Sequence, residues 1–158
     1  MYSVGDKVAY PMHGAGVIEA IEDKQFIDEM KRYYVLQFTV GDMKVLVPVD
    51  NVSNSGLRKI ISAEVYEQVL RKFADGEETE ESLNWNRRFR ENMEKMKTGD
   101  IFEMVSVVKC LLKREKEKGL SSGEKKMLNN AMQILVSELC LVSGEKKSSL
   151  EKKIISLV

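Results

Sequence analysis

The feature that most constrains this chain is a change of hydrophobic period near residue 60. Before that point apolar residues alternate with polar ones, and Val, Ile, Tyr and Phe are frequent. After it, apolar residues recur every three to four positions almost to the end. Alternation turns one face of an extended strand toward a core, and the longer spacing turns one stripe of a helix there. Strands in one block and helices in the next predict an α+β chain with the two element types in separate domains. We expect residues 1–55 to form the first domain and residues 56–158 the second. The hinge is expected in the polar, turn-forming stretch from Asn51 to Gly56.

In the first block, Lys7 to Tyr10 reads as a strand stopped by Pro11 and a glycine turn, Gly14-Ala15-Gly16. Val17 to Ile21 reads as a second strand and Lys31 to Thr39 as a third, the latter dense in β-branched and aromatic residues. Val40-Gly41-Asp42 supplies a tight reversal, and Met43 to Val47 returns as a fourth strand before Pro48. Four short strands predict a small curled sheet or SH3-like barrel. So little sheet leaves an uncovered edge, which is a template for a partner's strand.

About five helices are expected in the second block. One runs from near Ser62 to Ala74; the next is capped by Thr79, with Glu80 and Glu81 at its positive end, and stops near Gly99. Asp100 with Glu103 opens a third, whose stripe is Ile101, Met104, Val105, Val108, Leu111 and Leu112. Ser121 with Glu124 opens a fourth, whose stripe is Leu128, Ala131, Leu135, Leu139 and Val142. Residues 146–158 read as a short, marginal final helix.

Charge limits what these elements can do. The 158 residues hold 25 basic and 25 acidic side chains, and residues 1–60 carry 7 and 8 of them. Any contact with nucleic acid must therefore come from a local patch rather than from the field of the whole molecule. Cys110 and Cys140 stand alone and His13 is the single histidine, too few ligands for zinc. The thiols read as reduced and internal. No stretch approaches a membrane span, and Met1 to Pro11 lacks the pattern of a secretory leader, so a cytoplasmic location is expected. His13 lies in a loop with no nucleophile beside it and reads as a turn residue; no cofactor fingerprint is present, and no enzymatic activity is expected.

One stretch stands out: Asn84 to Lys97, NWNRRFRENMEKMK, which holds the lone tryptophan and three arginines within four positions. As a helix it places Trp85, Phe89, Met93 and Met96 on one side and Arg87, Arg90 and Lys97 on the other, with Arg88 at the flank. Two readings stay open from the residues. The aromatic and methionine face is core and the arginines are solvated. Alternatively, Trp85 is an apolar wedge for a base step, with arginines on the flanking phosphates. Lys125-Lys126, at the start of the fourth helix, reads by itself as a solvated face, and alternatively would favour a further phosphate. The run Lys113, Arg114, Lys116, Lys118, interleaved with Glu115 and Glu117, reads as solvated surface.

The segments VGDKVAYPMHGAGVIEAIE (4–22), GDMKVLVPVDN (41–51), NWNRRF (84–89), KGLSSGEKKML and AMQILVSEL (within 118–139) make the whole chain resemble the CarD/CdnL family of bacterial transcription regulators. The first two segments also resemble the polymerase-binding module of transcription-repair coupling factor. The resemblance implies a Tudor-like N-terminal domain that binds the β subunit of RNA polymerase largely by strand addition. By position the strand is Met43 to Pro48, so the residues implied are Lys44, Val45, Leu46, Val47 and Pro48, with Lys24 from a neighbouring loop. Some members carry a basic residue where this chain has Leu46, which would weaken the ionic part of the contact or shift it to Lys44. The resemblance also implies that Trp85 wedges into the minor groove of promoter DNA at the upstream edge of the transcription bubble. Arg87, Arg88, Arg90 and Lys125 would hold phosphates there. The expected protein is a monomer that stabilises the open complex. The alternative is an interaction module whose helices only scaffold and never touch DNA.

Overall fold

The computed structural model describes residues 1–39, 41–76 and 84–158. An antiparallel five-stranded sheet is followed by helices, as the change of period requires. The strands are β1 (Lys7–Tyr10), β2 (Gly14–Gln25), β3 (Met30–Phe38), β4 (Lys44–Pro48) and β5 (Arg58–Lys59), in the spatial order β4-β3-β2-β1-β5. β1 has the expected bounds, but β2 begins earlier. The chain reverses at Pro11 to His13, where Met12 takes φ 69°, and Gly14-Ala15-Gly16 is already strand. Gly16 serves a close approach and not a turn: a Cβ there would stand 2.3 Å from the Gln37 carbonyl oxygen of β3. The reversal expected at Val40-Gly41-Asp42 includes Val40, which lies outside the described residues.

Strands β2 and β3 pair from Gly16↔Phe38 to Gln25↔Met30, with one irregularity between Ile18 and Ala20. β4 pairs with β3 only from Gln37↔Lys44 to Tyr33↔Pro48, so the β2–β3 ribbon runs on past its end. Val8, Ile18, Tyr34, Leu36, Val47 and Leu57 form the core of this half. The sheet continues beyond residue 55. The stretch expected as a hinge is a 3-10 turn (Val49–Asn51) and a short helix α1 (Val52–Ser55), ended by Gly56 in the left-handed region, and β5 then pairs with β1. A two-residue strand leaves no periodic trace in a sequence.

The remaining helices are α2 (Ala63–Ala74), α3 (Trp85–Lys97), α4 (Ile101–Glu117), α5 (Ser122–Ser143) and α6 (Lys147–Leu157). Ser62, Asp100 and Ser121 cap α2, α4 and α5 through their side-chain oxygens. The start expected at Thr79, Glu80 and Glu81 lies outside the described residues; within them, α3 is capped by Asn84, which accepts from the Arg87 N–H. The stripe expected on α4 is buried, but so are Val107, Lys109 and Cys110, because α4 lies against α2, α3 and α5. Lys109 Nζ donates to the Lys72 and Asp75 carbonyls at 2.8 and 2.9 Å and to the Asp75 carboxylate, which satisfies the end of α2. Helix α6 is not marginal: Leu150 and Ile154 are fully buried, and such packing holds a short helix better than propensity can. Neither Cys110 nor Cys140 is in a disulfide. Among the described residues no helix is long and apolar enough to cross a membrane.

Candidate functional site

The sheet has two edges with different surroundings. β5 carries the junction to the helices, through Arg58, whose side chain reaches α5. β4 hydrogen-bonds to β3 alone among the described strands, so its outer edge offers backbone donors and acceptors. Alternation along β4 buries Val47 completely, leaves Val45 and Pro48 half-buried, and exposes Lys44 and Leu46. Leu46, 45% exposed, follows Ala20 and Val35 in one cross-strand row, so an apolar strip on the outer face ends at the open edge. The Lys44 ammonium is 2.9 Å from a Glu19 carboxylate oxygen, so its charge is partly spent inside the sheet. Lys24 lies in β2 rather than in a loop, beside Glu22 at 3.2 Å. It is separated from β4 by β3, two strand spacings or roughly 10 Å away, and stands beyond the end of β4.

The second surface is built where the starts of α3 and α5 meet. Trp85 is the first residue of α3, and its Nε1–H donates to Ser121 Oγ at 2.9 Å. The same hydroxyl accepts from the Glu124 N–H, so the N-cap of α5 also anchors the indole. One ring face stacks on Phe89, with centroids 5.2 Å apart and planes 20° from parallel. A Cβ on Gly123 would lie 3.5 Å from the ring, so the glycine backbone forms part of the seat. The indole remains 42% exposed. Two helix N-termini, each a partial positive charge, thus flank a half-exposed ring.

Joined to the ring through Ser121 is a buried ion pair. Arg88 Nε and a terminal nitrogen donate to the two oxygens of Glu124 at 2.9 and 3.1 Å, and both side chains are under 5% exposed. Burial pushes the Glu124 carboxyl up, but the hydrogen bonds and charge of Arg88 outweigh it. With Arg114 and Ser121 adding to them, the group is held below the usual carboxylate range. Arg114 lies 3.9 Å from Glu124, so it belongs to this cluster and not to the solvated run expected of it.

Among the residues expected on phosphates, Arg87, Arg90 and Lys125 are exposed, and Arg87 pairs with Glu91 one turn on at 3.0 Å. Arg88 differs from them: it is 3% exposed and its guanidinium is paired inside with Glu124. Its place three residues after Trp85 puts it on the ring's own side of the helix, and only a buried acid makes that tolerable. Sequence reasoning took Ser121 and Glu124 as caps and missed their second roles; the adjacency of NWNRRF and SSGE in space was not readable from either alone. His13 donates from Nδ1 to the Pro11 carbonyl at 3.0 Å and stacks on Tyr10. Ser137, which lines a cleft together with His13, has its hydroxyl engaged by the Ala15 N–H and the Ile134 carbonyl. Among the described residues no group of three or more His, Cys, Asp or Glu could hold a metal ion.

Comparison with known proteins agrees with this two-part build. Residues 2–61 match the CarD-like/TRCF RID domain, and residues 68–155 match the CarD C-terminal domain. Over 144 residues the chain is 40% identical to the Bacillus subtilis (strain 168) protein named "Putative transcription factor YdeB", covering 91% of this chain and 94% of that one.

Proposed function

Since the chain belongs to the CarD family and is a transcription factor of that type, we propose that it binds the β subunit of RNA polymerase through the open edge of β4 and promoter DNA through Trp85. The polymerase grip is strand addition along Lys44 to Pro48, with Leu46 supplying an apolar contact. The DNA grip is the indole, entering the minor groove at the upstream edge of the transcription bubble, with Arg87, Arg90 and Lys125 on neighbouring phosphates.

The observation that carries this reading is the pose of Trp85. A large apolar ring is kept half in solvent at the first turn of a helix, with its polar atom satisfied and its orientation fixed by Ser121 and Phe89. Unstacking a base step costs a few kcal/mol, so a rigid wedge acts best where strands have already parted. It therefore binds the open complex better than the closed one and shifts the equilibrium toward it. A preference of about 1.4 kcal/mol changes the ratio tenfold. The strand grip raises the local concentration of the second surface to about millimolar, so a chain of zero net charge needs little DNA affinity of its own. The matching test is Trp85→Ala. Polymerase pull-down should be unchanged and the open-complex lifetime should fall about tenfold; a lifetime equal to the parent's would defeat the wedge.

A second reading, an interaction module without DNA contact, is favoured by one observation: the indole N–H and one ring face are already occupied within the protein. Trp85 is the only tryptophan, so its emission decides. Forked promoter DNA should quench it under the first reading and leave it unchanged under the second.

A further inference from the structure

Domains joined by a short linker move relative to one another unless something specific holds them. Here the contacts across the junction include apolar packing of Pro11 against Gly99 and a set that is polar, half-buried and geometrically demanding. Glu138 of α5 is 3% exposed and accepts from both terminal nitrogens of Arg58 at 2.7 and 2.8 Å, and from the Ile61 N–H at 2.9 Å. Arg58 Nε donates to the Gly99 carbonyl, between α3 and α4, at 3.0 Å. One arginine on β5 therefore ties the sheet both to α5 and to the turn that ends α3. A second tie lies at the start of β2, where the Ala15 N–H donates to Ser137 Oγ at 2.8 Å. The backbone comes so close that a Cβ on Gly14 would stand 2.7 Å from that hydroxyl.

An ion pair drawn largely out of water is no better for stability than well-packed apolar residues of the same size. Its distinguishing property is direction: a guanidinium fork meets a carboxylate in one plane and at one distance. The two tied segments also lead straight to the candidate surfaces. β5 belongs to the sheet whose far edge is β4, and Gly99 follows the helix that begins at Trp85.

We propose that Arg58 and Glu138 are positioning residues that lock the sheet and the helices into one rigid body, so that the polymerase grip and the indole act at a fixed separation and angle. The proposal rests on the two-surface reading above. The lock turns two weak contacts into one: with the first made, the second is already aimed, and little orientational freedom is lost in making it.

The test uses the full chain with Arg58→Gln and in parallel Glu138→Gln, which keeps the shape and removes the charge, each checked for a folded far-UV spectrum. Residual dipolar couplings of the free proteins read the orientation of the two domains. In the parent both domains should share one alignment; in the variants the alignments should diverge, and the amide protons of Ala15 and Ile61 should exchange faster. Pull-down with the polymerase β lobe and binding to forked promoter DNA alone should stay within about twofold of the parent, while the open-complex lifetime falls about tenfold. Arg58→Lys, which keeps the charge but not the fork, should fall between. Variants whose domains keep a common alignment, or whose alignments diverge with the lifetime unchanged, would overturn the lock. A parent chain that never lengthens the open-complex lifetime would sink the two-surface reading instead, and two alignments in that parent would sink the lock on their own.

Discussion

The edge of β4 and the start of α3 are both offered to partners, but they are made in different ways. β4 offers backbone. Its donors and acceptors point outward because a strand at the rim of a sheet has one neighbour, and nothing beyond β3 is needed to present them. The indole of Trp85 is offered by a frame of residues from elsewhere: Ser121 on its nitrogen, Phe89 on its face, Gly123 at its edge, and Arg88 with Glu124 joined to it through Ser121. A backbone surface tolerates change in its side chains, whereas a framed ring is lost when its frame is lost. At its exposed positions, Lys44 and Leu46, the β4 surface should therefore respond to substitution only in binding, and the α3 surface in both binding and folding.

The sharpest way to break this contrast is Arg88→Ala. Removing Arg88 leaves Glu124 buried with only the more distant Arg114 charge beside it, so stability should fall by about 3 kcal/mol in urea unfolding, with a red shift of the Trp85 emission. A loss under about 1 kcal/mol would show that the ring stands without its frame. Next is Leu46→Glu. Unfolding should move by no more than about 0.5 kcal/mol, while affinity for the polymerase β lobe drops by about 2 kcal/mol, some thirtyfold. Equal losses in both measurements would place β4 under the same rule as α3.

A smaller effect tests the frame through pH. The Glu124 carboxyl is held below its ordinary value in the folded chain. The unfolded chain then binds the proton first, so the pair's stabilisation is complete above the ordinary carboxylate range and is lost as pH falls through the lowered folded value. Glu124→Gln should flatten that acid limb of the stability curve, and an unaltered limb would assign it to other carboxylates. The smallest effect is expected at Arg87, whose pair with Glu91 is exposed. Arg87→Ala should cost about 0.3–0.5 kcal/mol in stability and reduce the salt dependence of DNA binding by about one unit of slope. An unchanged slope would remove Arg87 from the phosphate set.

Much of this architecture was written locally. Lys7 to Tyr10, the helix start near Ser62, the caps at Asp100 and Ser121, and the apolar stripe of α4 depend on residues within a turn or a strand of each other, and each is found where its pattern places it. The lone tryptophan among arginines was visible in the same way. What only the fold decided is which charges lie inside. Arg87 and Arg88 are neighbours of one type; one is in solvent and the other is sealed, because Glu124 comes to the second from 36 positions away. Arg58 meets Glu138 across 80 positions, and Ala15 meets Ser137 across 122. Periodicity reports which face of an element turns inward. It carries no information on which distant element arrives there, and the fate of a buried charge depends entirely on that arrival.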